Sequence, residues 1–422
     1  MLQSTAVFIL IRAVSSLAHT TMGTTFTLYL VEALGLNPFQ LLLVGMVLEG
    51  TVLLFEGITG VVADTYGRRI SVIIGVFVVG GGMALQGAVL PAESLMPFIP
   101  MLGWLLAAQV LFGLGHTFVS GAETAWIVDE IGEERMASLF LKSSRISQAA
   151  GLAGIGLGVW LYQLSPGLPL VSVGLLYGLL GVFLIAVMKE TGFQRNAAPA
   201  GVAPWTEMAQ TWLSGARFIR NQPILIFMLI VTVFTGAASE GYDRLWGAHL
   251  IREIGFPAHI PLSMAAWFGL IAAISALLSM AVLGLAERRL TISGPRAAAL
   301  ILLVLTALRV GAVLAVALAP GFIWAFAALL LAEVVRSLSH PIYETWLNQH
   351  IGSGSRATVL SMMGQSDALG QIAGGPFVGW VGSRLSIRAS LTVAALLLSP
   401  ILPVFARVLV RGKPAKEPEQ AS

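Results

Sequence analysis

The sequence predicts an all-α polytopic membrane protein with twelve transmembrane helices in two six-helix bundles. Three observations support this fold class: long apolar runs, a scarcity of charge, and a similarity between the two halves of the chain. Of the 422 residues, 57% are hydrophobic and only 11% are charged, whereas a soluble domain carries about 25% charged residues. Such a chain cannot cover a water-exposed surface with polar side chains, so we expect it to cross the membrane many times.

A spanning helix needs about 20 predominantly apolar residues, and the sequence contains twelve runs of that kind. The first run lacks a basic segment and a small-residue cleavage site, so we interpret it as a retained helix and not as a signal peptide. The predicted helices cover residues 5–31, 40–63, 70–90, 98–127, 140–163, 168–188, 223–250, 262–285, 296–318, 321–347, 357–382 and 389–410.

The positions of Lys and Arg predict the orientation. If both termini are cytoplasmic, most of the 24 basic residues lie on the cytoplasmic side, and only Arg252, Arg384 and Arg388 lie on the other side. Because basic residues concentrate in cytoplasmic loops, we expect cytoplasmic termini and a location in the inner membrane.

The apolar pattern is interrupted between the sixth and seventh helices. Residues 196–204 indicate a flexible linker, and residues 205–220 carry apolar side chains at roughly helical spacing. We expect the latter to lie on the membrane surface as an amphipathic helix; a disordered loop is the alternative. The predicted units are an N-terminal bundle (1–188), this linker (189–222), a C-terminal bundle (223–411) and a cytoplasmic tail (412–422).

The second half of the chain echoes the first. Trp126 and Trp160 recur as Trp346 and Trp380 at the same offset of 220 residues. Parallel repeats of six helices are typical of secondary transporters.

A charged motif links the second and third helices: Gly60-Val-Val-Ala-Asp64-Thr-Tyr-Gly67-Arg68-Arg69. Asp64 lies near the C-terminus of its helix, where the macrodipole disfavours a carboxylate. We therefore expect it to contact Arg68 or the N-terminal end of another helix. Taken alone, the motif also fits a basic loop that only sets the topology.

This motif closely resembles the loop between helices 2 and 3 of the major facilitator superfamily, Gly-x-x-x-Asp-x-x-Gly-Arg-Arg/Lys. The resemblance extends over nearly the whole chain, since the helices, the linker and the repeat also match. It implies alternating access between two bundles, a monomer, and a cytoplasmic gate in which Asp64 and the basic residues latch the two halves together. The gate residues implied in this loop are Gly60, Asp64, Gly67, Arg68 and Arg69.

The helix 4 region resembles the drug-efflux branch of that superfamily. The residues that carry this likeness are Gly113, Gly115, Gly121, Trp126 and Asp129. It implies that Asp129 contacts Arg68 within the gate. The sequence departs from that branch at Gln109, where the branch often has Arg, and in helix 5, where the Gly-Pro pair of the antiporter motif is missing.

Charged residues within the spans are candidate functional groups, because a charge in the bilayer is expensive. They concentrate in helices 1, 2, 4, 7 and 10, and the sequence offers no explanation for Arg309 in helix 9. The candidates for the substrate cavity or for proton coupling are Arg12, His19, Glu49, Glu56, His116, Glu123, Glu240, Asp243, Arg244, Glu333, Arg336 and Asp367.

Two ion pairs are predicted across the hairpin of helices 1 and 2. Arg12 and His19 share one face of helix 1, and Glu49 and Glu56 share one face of helix 2. Their depths match when each residue rises 1.5 Å along its helix, so we predict the pairs Arg12–Glu56 and His19–Glu49. In the alternative, the two faces point apart and each charge meets another helix.

Spacing along single helices predicts two further pairs. Glu240 precedes Arg244 by four residues, the favourable order for a helical pair, and Glu333 precedes Arg336 by three. Asp243 is left without a local partner.

Unpaired carboxylates are the better candidates for proton binding. Burial in general raises the pKa of a carboxyl group and hydration lowers it again, so such a group can take up a proton on one side and release it on the other. The predicted order is Glu49, Asp243, Asp367 and then Glu56.

These features predict a secondary transporter that exports a small amphiphilic molecule or drug in exchange for protons, with the lipid bilayer as its surroundings. A proton- or substrate-driven importer or a uniporter of a small metabolite is the alternative. A receptor or an intramembrane enzyme is a remote one, since the sequence contains no His-Glu-x-x-His or Gly-x-Ser-x-Gly motif. The absence of cysteine excludes thiolate chemistry, and we expect neither a cofactor nor nucleic acid as a partner.

Overall fold

The computed structural model describes residues 2–193, 217, 219–220, 222–289, 294–349, 351 and 356–411. Every regular element in this part of the chain is helical, which confirms the all-α prediction. The helices before the linker are α1 (Leu2–Leu28), α2 (Pro38–Tyr66), α3 (Arg68–Gly87), α4 (Val89–Leu95), α5 (Met101–Val119), α6 (Ala122–Ile131), α7 (Met136–Leu164) and α8 (Leu168–Val187). Those after it are α9 (Pro223–His249), α10 (Met264–Arg289), α11 (Pro295–Ala317), α12 (Phe322–Asn348), α13 (Arg356–Arg384), α14 (Ile387–Leu398) and α15 (Ile401–Arg411).

Ten helical stretches of the described residues are long and apolar enough to cross a membrane. The pairs α5–α6 and α14–α15 each form one such stretch. Helices α7 and α13 have 29 residues each, or about 43 Å at the usual rise, but they are less apolar than those ten stretches. Lys142 and Arg145 on α7 and Asp367 on α13 contribute to that polarity. The prediction of twelve spans therefore stays a prediction for these two helices.

Local signals set the helix ends near the centre of the molecule. Asn37 and Gln40 form a capping box in which each side chain accepts a 2.9 Å hydrogen bond from the other residue's backbone N–H, and Pro38 starts α2. Gly67 separates α2 from α3 with a φ of 111° that other residues rarely adopt. A second break, at Gly121, divides the predicted fourth helix into α5 and α6.

Most helices pack within their own half of the chain. In the first half α1 packs against α7, and α3 packs against α5 and α8; in the second, α9 packs against α13 and α14, and α11 packs against α12. The two most extended contacts between the halves are those of α2 with α13 and of α7 with α10. Consecutive helices need not be neighbours, because α1 and α2 share no extended contact.

The spans alternate in direction, so the molecule has two faces. We use the name terminal face for the face that carries the start of α1, the turn at Gly67 and the end of α15. The opposite face carries the loops that follow α1 and α9, at residues 34–37 and 255–263.

Equivalent positions of the two halves lie in equivalent surroundings. Trp126 and Trp346 are both buried, and Trp160 and Trp380 are both exposed. The first helix of each half ends in a π-helical turn, Tyr29–Ala33 after α1 and Leu250–Ile254 after α9. This correspondence agrees with the predicted repeat.

The predicted domain boundaries stay predictions. Of the proposed surface helix at 205–220, only residues 217, 219 and 220 are described, and the tail at 412–422 lies outside the described residues.

Candidate functional site: a charged cavity between the two halves

A cavity of about 710 Å³ lies between the two halves. Helices α1, α2, α3, α5 and α7 line it from the first half, and α9, α10, α12 and α13 line it from the second. Its wall combines aromatic rings with amide and charged side chains, so it suits a ligand that has both apolar and polar parts. The aromatic lining residues are Phe26, Phe112, Trp246 and Phe268.

The cavity is closed toward the opposite face. Leu28 of α1 packs in one apolar cluster with Ala265 and Phe268 of α10. A hydrogen bond of 2.9 Å from Arg252 to the carbonyl oxygen of Leu36 also joins the halves there. Near this cluster, the backbone of Gly247 lies against Thr27, close enough to leave little room for a larger residue.

Toward the terminal face, the inner helices carry exposed polar side chains. Arg12 on α1, Glu56 on α2 and His116 on α5 are all exposed. The cavity thus opens to the terminal face, and the two halves separate in that direction.

Three carboxylates and two guanidinium groups form a paired cluster on the wall contributed by the second half. Arg244 donates to Glu240 at 2.9 Å within α9. Arg336 of α12 donates to both oxygens of Asp243, at 3.0 and 3.2 Å, and to Glu333 at 2.7 Å. The two pairs predicted from spacing are confirmed, but Asp243 is not unpaired as predicted, because Arg336 reaches it from α12.

Glu49 lines the cavity from the first half and makes no hydrogen bond or ion pair with the described residues. One turn earlier, Gly45 lies so close to the second half that a Cβ there would overlap the carboxylate of Glu240. The charges of Glu240, Arg244 and Asp367 act on Glu49. Four carboxylates therefore line the cavity against two guanidinium groups, and Glu49 is the one without a partner.

Asp367 lies beside this region on α13 but does not line the cavity. Its Oδ2 accepts a 2.8 Å hydrogen bond from Gln371, which does line it. Among the described residues no basic side chain pairs with Asp367, in agreement with the prediction from the sequence.

The predicted gate residues lie at the terminal face, around the turn at Gly67. Arg68 forms an ion pair with Asp129 of α6 and donates to the carbonyl oxygen of Ala125 at 2.8 Å. Its backbone N–H donates to Glu190, beyond the end of α8, at 2.7 Å.

Arg69 joins the same turn to the end of α8, where its side chain donates to the carbonyl oxygens of Met188 and Ile185 at 2.6 and 2.8 Å. Gly60 and Asp64 are exposed, and Asp64 has no partner among the described residues. In this conformation the basic residues of the loop bind within the first half, so Arg68 pairs with Asp129 and not with Asp64.

The model of the family described as Major Facilitator Superfamily matches residues 8–374. The chain belongs to this superfamily. The match covers both halves and includes the loop at Gly67 and every charged residue of the cavity.

Among its relatives is a protein described as an uncharacterized MFS-type transporter, YxaM of Bacillus subtilis (strain 168), which is 24% identical over 406 residues and covers 94% of each chain. The fold is similar to that of the nucleoside transporter NupG (TM-score 0.72, 13% identity, 96% of this chain and 99% of that one). It is also similar to a bacterial homologue of the human lysosomal transporter Spinster in an inward-facing and occupied conformation (TM-score 0.70, 14% identity, 97% and 98%). These likenesses establish a major facilitator transporter fold.

In this major facilitator protein, seven of the predicted residues come together in the cavity: His19, Glu49, Glu240, Asp243, Arg244, Glu333 and Arg336. The other five, Arg12, Glu56, His116, Glu123 and Asp367, do not line it. Glu123 is instead 7% exposed, and its Oε1 has no hydrogen-bond partner among the described residues. The charge of Arg12 acts on Glu123, so these two form a separate group nearer the terminal face.

The two ion pairs predicted across the hairpin are wrong. No pair joins Arg12 to Glu56 or His19 to Glu49 among the described residues. The reason is that α1 packs against α7 whereas α2 packs against α5 and α13, so the charged faces of α1 and α2 do not meet.

Sequence reasoning missed the uncharged part of the site and the role of Arg309. Gln86, Gln109 and Gln371 line the cavity, and Gln109 was noted only as a departure from the drug-efflux pattern. The charge of Arg309 acts on Asp243, Glu333 and Arg336, so Arg309 lies near the paired cluster, although it does not line the cavity. Amides carry no charge signal in a hydropathy profile, and the neighbours of Arg309 depend on helix packing.

Proposed function

We propose that this major facilitator transporter exports a small amphiphilic cation in exchange for protons, by alternating access of the cavity to the two faces. The proposal rests on the charge of the cavity between the halves, where four carboxylates face only two guanidinium groups. The aromatic side chains of the wall offer stacking and cation–π surfaces to an organic cation. Carboxylates in such a site serve either to hold the cation or to carry the exchanged proton.

Glu49 is our proposed proton carrier. Glu240, Asp243 and Glu333 each bind a guanidinium group, so a change in the charge of any of them disturbs an existing ion pair. Glu49 loses no partner when it is protonated. Asp367 ranks second, because Gln371 supplies it with a hydrogen bond but no charge. Asp243, second in the order predicted from sequence, moves to the paired group.

The terminal face is proposed to be cytoplasmic, which would make the described conformation inward-facing. The Lys and Arg distribution supports this orientation. The proposal also includes a monomer in the inner membrane and a gate in which Arg68 and Asp129 brace the α2–α3 turn against α6.

The test is proton flux in proteoliposomes that contain a pH-sensitive dye and start with a preset pH gradient. Cationic, anionic and neutral amphiphiles are added in turn. We expect a cation to dissipate the gradient, and Glu49→Gln to reduce that flux at least tenfold. The matched control is Glu287→Gln, which neutralises an exposed carboxylate at the end of α10.

Two results would contradict the proposal. If the Glu49→Gln and control proteins move protons equally well, Glu49 is not the carrier. If labelled compounds cross without any proton movement, the transporter is a uniporter or uses another ion.

Import of a small neutral metabolite is the second candidate. The amides of Gln86, Gln109 and Gln371 on the cavity wall favour it, because amides recognise neutral polar groups. The similar fold of NupG, described as a nucleoside transporter, agrees with that possibility. A labelled nucleoside that accumulates inside vesicles under an inward proton gradient would support import over export.

A further inference from the structure

A buried histidine lies outside the cavity lining, where α9 ends at the opposite face. His249 is 0% exposed. It is followed by the π-helical turn Leu250–Ile254, and such turns often occur at functional positions. Neither His249 nor Glu253 within the turn lines the cavity.

Both ring nitrogens of His249 face oxygen atoms. Nδ1 lies 3.1 Å from Oε2 of Glu253, and Nε2 lies 3.1 Å from the carbonyl oxygen of Val316 on α11. A carbonyl oxygen only accepts hydrogen bonds, so Nε2 must carry a hydrogen. A neutral imidazole has then no hydrogen left for Nδ1, and an ionised carboxylate has none to give.

We infer that His249 and Glu253 form a proton-binding site. The observed geometry requires one proton more than a neutral imidazole and an ionised carboxylate hold together. With that proton the pair is an imidazolium–carboxylate or an imidazole–carboxylic acid, and either form satisfies both contacts. Without it, the lone pair of Nδ1 points at a carboxylate oxygen.

The charged groups that act on His249 are Glu253 and Arg388. Arg388 lies 3.6 Å from Oε2 of Glu253. The other carboxylate oxygen, Oε1, accepts a 2.9 Å hydrogen bond from the backbone N–H of Ile387 at the start of α14. Glu253 itself is 23% exposed, so it connects the buried ring to water at the opposite face and gives the proton a route in and out.

The same turn carries a contact that holds the two halves together. Arg252, between His249 and Glu253 in the chain, donates to the carbonyl oxygen of Leu36 in the first half at 2.9 Å. Two residues before His249, Gly247 packs against Thr27 of α1. A bound proton keeps the turn in the geometry that makes these contacts, and its loss destabilises that geometry. Acid at the opposite face therefore favours the conformation that is closed there.

The first test measures the distance between the halves at the opposite face as a function of pH. The chain contains no cysteine, so spin labels at Leu95→Cys on α4 and Ile323→Cys on α12, both exposed, report it without background labelling. In lipid nanodiscs we expect the ratio of closed to open molecules to fall as the pH rises. For release of one proton this ratio changes at most tenfold per pH unit.

Two variants and a control locate the response. Glu253→Gln supplies a permanent amide donor to Nδ1. We therefore expect this variant protein to stay closed at the opposite face at every pH. His249→Gln also removes the titrating pair and should abolish the pH response. His259→Gln, an exposed histidine of the loop after the turn, should respond like the unaltered protein.

A spectroscopic measurement covers the case in which a variant fails to fold. The protein is labelled with ¹⁵N-histidine and studied by NMR. Of the six histidine signals, that of His249 is identified as the one that is lost in His249→Gln or shifted in Glu253→Gln. We expect a doubly protonated ring, or a singly protonated ring beside a protonated Glu253 seen by infrared spectroscopy. A neutral ring beside an ionised Glu253 would overturn the inference. So would a closed-to-open ratio that ignores pH in the unaltered protein, or a pH response that persists in both variants.

Discussion

Glu240→Gln should destabilise this transporter far more than Asp243→Asn, although the two acids are three residues apart on the same helix. Glu240 is 5% exposed and its partner Arg244 is 18% exposed. Breaking such a buried pair leaves an uncompensated charge and costs about 3–5 kcal/mol. Because glutamine still accepts one hydrogen bond from Arg244, we expect the lower end, about 3 kcal/mol.

The Asp243 side chain lies in a wetter place. It is 39% exposed and its partner Arg336 is 44% exposed, and pairs screened by water contribute about 0.2–1 kcal/mol. Arg336 also keeps Glu333 as a partner at 2.7 Å. The expected loss for Asp243→Asn is therefore below about 1 kcal/mol.

The assay is equilibrium unfolding in mixed micelles, followed by the fluorescence of the ten tryptophans. The double variant Glu240→Gln/Arg244→Met serves as the internal control. Since it removes the buried charge together with its partner, we expect it to be within about 1 kcal/mol of the unaltered protein. Equal losses for Glu240→Gln and Asp243→Asn would refute the reasoning, because water would then screen both pairs alike. A double variant as unstable as Glu240→Gln would show that the loss does not come from a stranded guanidinium.

Two glycine substitutions test other contacts. Gly45→Ala places a methyl group where the Glu240 carboxylate lies, so we expect at least a tenfold slower proteoliposome flux; Gly50→Ala on the same helix meets no atom within 4 Å and should leave it unchanged. Gly67→Ala forces a side chain into a sparsely populated backbone conformation with φ of 111° and ψ of 143°. It should lower the free energy of unfolding by about 1–3 kcal/mol, whereas Gly23→Ala, in open space on α1, should not lower it. Equal effects within either pair would contradict the assigned contact.

The local part of the charged site was predictable from sequence, and the part that depends on helix neighbours was not. Four residues on one helix have a fixed separation, which is why the Glu240–Arg244 pair was found. The Arg12–Glu56 pair needed α1 and α2 to lie side by side, and they do not. Depth in the membrane can be read from a rise of 1.5 Å per residue, but the direction in which a helix face points depends on packing.

The superfamily was predictable because its loop motif is a continuous stretch. The resemblance also implied the Arg68–Asp129 contact, which the structure contains. The expectation that Asp64 contacts Arg68 or the N-terminal end of another helix is wrong for the described residues, where Arg68 binds Asp129 and Asp64 has no partner. The His249–Glu253 pair escaped notice although its four-residue spacing was visible, because the requirement for an extra proton comes from the Val316 carbonyl on another helix.

The pairing pattern separates structural charges of the cavity from the one proposed to move protons. A carboxylate bound to a guanidinium holds the position of its partner, so the paired cluster of α9 and α12 preserves the shape of the wall. Glu49 stands on the other half, one turn from the contact between Gly45 and Glu240. The proposed alternating access requires the halves to move apart at that contact, and Glu49 would then leave the field of Glu240 and Arg244. In the proposed mechanism, the motion that switches access would thus change the charged surroundings of the unpaired carboxylate, which is the coupling that proton-driven exchange needs.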